Sequence, residues 1–238
     1  MKIELILLAL GAVAVAGAQT VVPNSLANTE GNSNFSLLVE GNSNRVYQTL
    51  IGANQLTSLV GRDLTAVNWR LNGTANGWPA VGGTIGSFEI RIGQGVNPGA
   101  VSKTFSSNFT GTKTLVRSGA LTINSGFFPG TGSPRDWAEI KFDNAYKYTG
   151  GNLTVEYRFT GMPMGAGQPS LDAAGAGTAG FMTDFSSAWG WEENSAFSFG
   201  ASTNAVVTAF SAAPVPEPAS LAALGLGAVA FLRKRKKA

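Results

Sequence analysis

Polar and apolar positions alternate with period two through much of the chain. Val67, Trp69 and Leu71 interleave with Asn68 and Arg70, Phe88, Ile90 and Ile92 with Glu89 and Arg91, and Leu153, Val155, Tyr157 and Phe159 with Thr154, Glu156 and Arg158. Successive side chains of a strand point to opposite sides, so each apolar set lines one face of a half-buried strand. Residues 45–51, 101–105, 114–123, 138–143 and 205–211 are further strand candidates, parted by turn clusters such as Asn97-Pro98-Gly99 and Gly150-Gly151-Asn152. Many short strands with turns between them predict an all-β fold, an antiparallel β-sandwich that is jelly-roll-like, with few helices outside the two ends. Val67, Trp69, Leu71, Phe88, Ile90, Ile92, Val155 and Phe159 are expected to share one core. Strands 138–143 and 153–159 are expected to pair as a hairpin with Glu139 opposite Arg158 and Lys141 opposite Glu156, because the slipped register sets like charges together.

The two ends follow other patterns. Residues 1–18 carry Lys2, an apolar core from Leu5 to Ala16, and Ala16-Gly17-Ala18 before Gln19. That order predicts a secretory signal peptide with Ala16 and Ala18 at the cleavage site. At the other end stand Val215-Pro216-Glu217-Pro218, a 14-residue apolar run at 219–232, and Arg233-Lys234-Arg235-Lys236-Lys237. The prolines fix their own φ and push Val215 and Glu217 toward extended backbone, which makes a stiff strip. The apolar run predicts a hydrophobic helix about 21 Å long, short against a hydrocarbon core of about 30 Å, with the basic residues as a membrane stop. The expected organisation is a signal peptide at 1–18, a β-sandwich body at 19–213 that is loop-rich over 161–200, and a sorting segment at 214–238 with a basic tail at 233–238.

The ends change the meaning of the composition. The whole chain has 17 Lys and Arg against 14 Asp and Glu; without Lys2 and Glu4, the five tail cations and Glu217, 11 basic and 12 acidic residues remain. A body near neutrality offers no footprint for nucleic acid. His and Cys are both absent, which excludes Ser-His-Asp and Cys-His machinery, His-based zinc sites and thiolate redox chemistry for this chain. An exported body without disulfides must rest on its core, and a body of this length is sufficient to bury one.

The tail with Pro216, Glu217 and Pro218, its apolar run and its basic end resembles the PEP-CTERM signal of secreted bacterial proteins. The resemblance implies recognition by an exosortase-type membrane protease, a precursor held in the membrane by its C-terminal helix with the body outside, and a mature form at the cell surface or outside the cell. A second resemblance covers residues 24–160, where Gly95-Val96-Asn97-Pro98, Val101-Ser102-Lys103-Thr104-Phe105 and Gly150-Gly151-Asn152-Leu153-Thr154-Val155 look like the β-sandwich bodies of other PEP-CTERM proteins of unassigned function. Those stretches match strand and turn positions, so the resemblance implies no catalytic residue.

Candidate chemistry in the body is sparse. Glu30-Gly31-Asn32-Ser33-Asn34 recurs as Glu40-Gly41-Asn42-Ser43-Asn44, a pair of oxygen-rich loops for a calcium ion or two turns flanking one strand; EF-hand spacing is missing, which favours the turns. Trp78, Trp189 and Trp191 are candidate glycan contacts, or else core and loop anchors. Among carboxylates that could form a glycosidase pair, Asp136, Glu139, Glu156 and Asp184 stand apart from Glu192-Glu193, which adjoin Trp191. Glu139 and Glu156 fall at outward strand positions beside Lys141 and Arg158, a solvated charge pattern. The expected function is therefore an exported, non-enzymatic surface or extracellular-matrix protein, structural or adhesive, with no cofactor and no metal and with exopolysaccharide as a further partner. A carbohydrate-binding module and a carboxylate glycosidase are the alternatives.

Overall fold

A computed structural model describes residues 19–38, 44–73, 75–160, 167–191 and 204–214. Ala16, Ala18, Glu192, Glu193, Pro216, Glu217, Pro218 and the tail residues Arg233, Lys234, Arg235, Lys236 and Lys237 lie outside the described residues, as do most of the second oxygen-rich loop and the proposed C-terminal helix. The described strands belong to one unit, Gln19–Ala213. In chain order they are β1 (Gln19–Val22), β2 (Ser33–Phe35), β3 (Arg45–Ile51), β4 (Asp63–Trp69), β5 (Gly83–Ile85), β6 (Ser87–Gln94), β7 (Thr114–Arg117), β8 (Leu121–Ile123), β9 (Ala138–Lys147), β10 (Leu153–Thr160), β11 (Leu171–Ala174), β12 (Phe185–Gly190), β13 (Ala205–Val206) and β14 (Thr208–Ala212). The described helices are single 3-10 turns of three or four residues.

Two sheets carry the fold. One has the order β1-β14-β4-β9 and the other β12-β3-β10-β6-β7, with β13-β11-β2 and β5-β8 as smaller sheets. Their strand pairings are antiparallel. The inward residues predicted by the alternation meet between the large sheets. Trp69 of β4 stands edge-on to Tyr157 of β10 with ring centroids 4.9 Å apart, and to Phe88 of β6 at 6.5 Å. The eight residues expected to share a core, including Val67, Leu71, Ile90, Ile92, Val155 and Phe159, lie in one buried cluster. The buried indole N–H of Trp69 is satisfied by Thr208 Oγ1 at 3.2 Å.

The expected hairpin does not form. β9 pairs with β4, setting Glu139 opposite Asn68 and Lys141 opposite Ala66. β10 instead lies between β3 and β6, where Glu156 faces Arg91 and Arg158 faces Glu89. β6 carries the same alternation of charge as β9, so cross-strand complementarity alone cannot choose between them. Burial decides it: β10 is covered on nearly every residue, as a central strand must be, while β9 exposes its alternate residues as an edge strand does. The turn between them crosses from sheet to sheet, anchored where Tyr148 N donates to Arg62 O at 3.0 Å and Gly61 N donates to Tyr148 O at 2.8 Å.

Other boundaries move for local reasons. The candidate strand at 101–105 is a bend leading into a 3-10 turn at Phe105–Asn108. The candidate at 114–123 is divided into β7 and β8 by Gly119, whose φ of +91° lies where a side chain would be strained. Residues 161–200, expected to be loop-rich, contain β11 and β12, whose Ala and Ser positions are buried by neighbouring strands. The first oxygen-rich loop is used for structure. Asn32 Oδ1 accepts from Gly175 N at 2.8 Å and Thr178 Oγ1 at 2.9 Å, and its Nδ2 donates to Ala176 O at 3.0 Å.

Just past β4, the alternation marks Arg70 as polar, yet it is fully buried with Asp172 of β11. Arg70 Nη2 lies 2.7 Å from Asp172 Oδ2 and also donates to Leu26 O at 2.9 Å and Thr29 O at 2.6 Å. Its guanidinium carbon lies 4.7 Å from the Trp137 ring centre. Gly31 N donates to Asp172 Oδ1 at 2.8 Å, an approach open only to glycine because a Cβ there would collide with the Ala173 carbonyl. Burial pushes the Asp172 carboxyl above its ordinary range, against the pull of Arg70 and Gly31.

Two stability predictions follow from this packing. Trp69→Ala or Phe159→Ala is expected to cost about 3–5 kcal/mol, measured by urea unfolding, because each opens a cavity between the sheets. Asp172→Ala leaves a buried guanidinium uncompensated and is expected to cost a similar 3–5 kcal/mol or so, whereas the double change Arg70→Met, Asp172→Leu costs much less. A double variant as unstable as the single one shows that shape rather than charge holds this junction.

Candidate functional site

The outward face of the five-stranded sheet is polar. Because Tyr47, Tyr157 and Ile90 point into the core, their neighbours Val46 and Gln48 on β3, Glu156 and Arg158 on β10, and Glu89 and Arg91 on β6 point away from it. Residues 97–110 cover one half of this face. Asn108 Nδ2 donates to Gln48 Oε1 at 2.7 Å, Gln48 Nε2 donates to Phe105 O at 3.0 Å, and Thr154 Oγ1 donates to Asn108 O at 2.8 Å. Phe105 completes the cover by packing with Val46 and Ala188 in a small second cluster.

Glu156 lies under that cover and corrects the expectation of a solvated charge. Its side chain has 0% exposure and accepts from Gln48 Nε2 at 2.6 Å, Arg158 Nε at 2.8 Å and Lys113 Nζ at 3.2 Å. Burial pushes its carboxyl up, but Arg158, Gln48 and Lys113 together outweigh burial and hold it below the ordinary glutamate value. A carboxylate so held is an anchor for cations and a poor proton donor. Glu139 remains exposed, in contact with Lys141 at 3.6 Å, and Asp136 accepts from Thr131 Oγ1 at 2.7 Å. Among the described residues no three His, Cys, Asp or Glu side chains gather as a metal site.

Beyond the cover lies an open groove of about 290 Å³ at the end of the sheet, lined by Asn44, Arg45, Glu89, Arg91, Arg158 and Trp191 among others. Arg91 pairs with Glu89 at 2.6 Å, both partly exposed. Arg45 is different. It is 5% exposed, its guanidinium carbon sits 4.4 Å from the Trp189 ring centre and 5.9 Å from that of Phe35, and its Nε has no hydrogen-bond partner. Among the described residues no carboxylate pairs with it. Burial lowers its guanidinium to about 10, which leaves it charged at neutral pH.

The fold separates the three candidate tryptophans. Trp189 and Trp191 come together edge-on at 6.4 Å, and Trp191 is 53% exposed at the groove. Trp78 is buried against Phe128 at 5.6 Å, which assigns it to the core rather than to a platform with the other two. Gln48, Glu89, Arg91, Asn108 and Lys113 carry this face, and sequence reasoning did not single them out. The available signal was weak: polar residues at alternate positions of three strands that only the sheet order makes neighbours.

Fold and face together define a cysteine-free antiparallel β-sandwich with one polar, partly covered sheet surface. The chain carries at its C-terminal end the PEP-CTERM protein-sorting motif, matched over residues 214–236. No curated protein and no solved structure matches the chain. Among the described residues no helix is long and apolar enough to cross a membrane.

The depressed Glu156 value has a pH signature. Its contribution to stability is fully present above the ordinary carboxylate value of about 4.3 and is lost as pH falls through the lower folded value. Glu156→Gln is expected to be less stable than the parent at neutral pH and to show a flatter loss of stability on the acid side, read by urea unfolding across that range. Parallel acid limbs for the two proteins would contradict this assignment.

Proposed function

We propose that this chain is an exported bacterial surface or extracellular-matrix protein with a non-enzymatic, structural or adhesive role, sorted through its C-terminal segment by an exosortase-type membrane protease. The match of the sorting motif to residues 214–236 carries the proposal. The residue order supports it: Pro216-Glu217-Pro218 forms a stiff strip with one carboxylate, the run at 219–232 is apolar, and Arg233 to Lys237 supply positive charge. In this reading residues 1–18 are the signal peptide, the apolar run holds the precursor in the membrane, and each tail cation contributes about 1 kcal/mol of attraction to an anionic leaflet. Successive large-sheet strands alternate between the two sheets, from β1 to β3 to β4 to β6, which supports a jelly-roll-like body with β12 added at one edge. The covered, cation-held Glu156 gives no support to a glycosidase, while the open groove gives the binding-module reading a specific basis.

Fractionation of the native host tests the sorting step. Glu217→Gln or Pro218→Ala is expected to leave a folded body trapped as a membrane-bound precursor, and truncation after Ala213 to release it in soluble form. Mass spectrometry of the mature exported protein is expected to find no peptide from residues 233–238. If that peptide persists and both variants reach the surface as the parent does, the segment is a plain anchor.

A further inference from the structure

We infer that the end of the sandwich holding residues 60–62, Lys147 and Ala213 is the surface that faces the lipid bilayer while the precursor is anchored, with Val60 at the headgroup layer. The inference rests on the reading that the apolar run at 219–232 holds the precursor in the membrane, and adds to it the orientation of the body.

Topology brings both termini of the body to one place. β1 begins at Gln19 opposite Ser211, so the first and last strands lie side by side. Ala213 N donates to Asp63 O at 2.8 Å, and Asp63 begins β4 opposite Lys147, where β9 ends. The stretch before β4 is held at the same end, because Gly61 N donates to Tyr148 O and Tyr148 N donates to Arg62 O. Residues 1–18, read as the signal peptide, and the sorting motif at 214–236 therefore join the body at the same end of one sheet. β14 is paired on both sides, with β1 and with β4, so the exit at Ala213 is a fixed point of the fold.

Chain length then decides the orientation. Ala219, where the apolar run begins, is six residues beyond Ala213, a stretch that spans at most about 22 Å in any conformation. β4 runs from Asp63 to Trp69, which puts the opposite end of the sheet about 20 Å away. With that opposite end against the bilayer, Ala213 would stand about 20 Å or more above the surface, and a headgroup layer of roughly 5–7 Å would still have to be crossed. The sum exceeds the reach of the linker, so the Ala213 end has to turn toward the membrane. The surface there suits the contact. Val60 is 53% exposed, and an apolar side chain enters a headgroup layer without desolvating a charge. Lys147, at the same end, is 60% exposed and 3.7 Å from Asp63. Val81, 71% exposed, marks the far end, in the connection that leaves β4 after Trp69 and returns through β5 and β6.

The chain has no cysteine, so single-cysteine variants report one position each. Val60→Cys, Lys147→Cys and Val81→Cys, each in the exported precursor of residues 19–238, are labelled with an environment-sensitive fluorophore. They are incorporated into vesicles of phosphatidylcholine and phosphatidylglycerol that carry a headgroup spin-label quencher. Quenching at positions 60 and 147 is expected to be several-fold stronger than at position 81. All three sites are exposed, and two reporters at the near end keep the result independent of either substitution. Equal quenching at the three positions, or stronger quenching at 81, in chains that float with the vesicles overturns the inference and leaves the anchor reading standing. Chains that do not float with the vesicles overturn the anchor reading and the inference with it.

Discussion

The buried ion pair between Arg70 and Asp172 is the junction on which the architecture turns. It ties the end of β4 to β11, and through Leu26 O, Thr29 O and Gly31 N it ties the segment following β1 to both. Three stretches far apart in the chain thus converge on two side chains with no exposure. Such pairs add little net stability compared with apolar residues of the same shape, but they are unforgiving of misplacement because each charge is costly without the other. In a body without disulfides, this makes the junction a device for specificity: an alternative docking of the 26–31 segment strands a charge or a carbonyl.

The five-stranded sheet has two faces of opposite character, and this division organises the rest. Its inner face supplies aromatic and branched side chains to the core shared with the four-stranded sheet. Its outer face holds alternating charge from β10 and β6 and the polar Gln48 of β3, part of it sealed by residues 97–110 and part left open. The sealed part immobilises Glu156, which in turn fixes Arg158 and Lys113, so the covered network supports the floor of the open groove. Rigid support under an exposed polar surface is the arrangement by which a sandwich can carry a binding site without mobile loops.

The sorting motif and the sheet surface draw on different kinds of information. The motif at 214–236 is read by another protein as a short linear pattern, so its meaning is local and survives whatever the body folds into. The groove has no linear signature. Asn44, Ser87, Arg158 and Trp191 come from four separate stretches and acquire a joint meaning through the order β12-β3-β10-β6.

By itself, the sequence determined which faces of β4, β6 and β10 turn inward, because period-two alternation is a property of each strand alone, and it determined the all-β class and the sorting motif. It left open which strands become neighbours. Glu89 and Arg91 on β6 repeat the charge alternation of Glu139 and Lys141 on β9, so β10 had two electrostatically equivalent partners, and only the need to bury both of its faces put it at the centre of the other sheet. The small residues of β11 and β12 form strands because larger elements cover them, which propensity does not register. Burial of Arg70 and Glu156 was equally a tertiary matter: an outward polar position reads as solvated until a second layer, here the 26–31 segment or residues 97–110, closes over it.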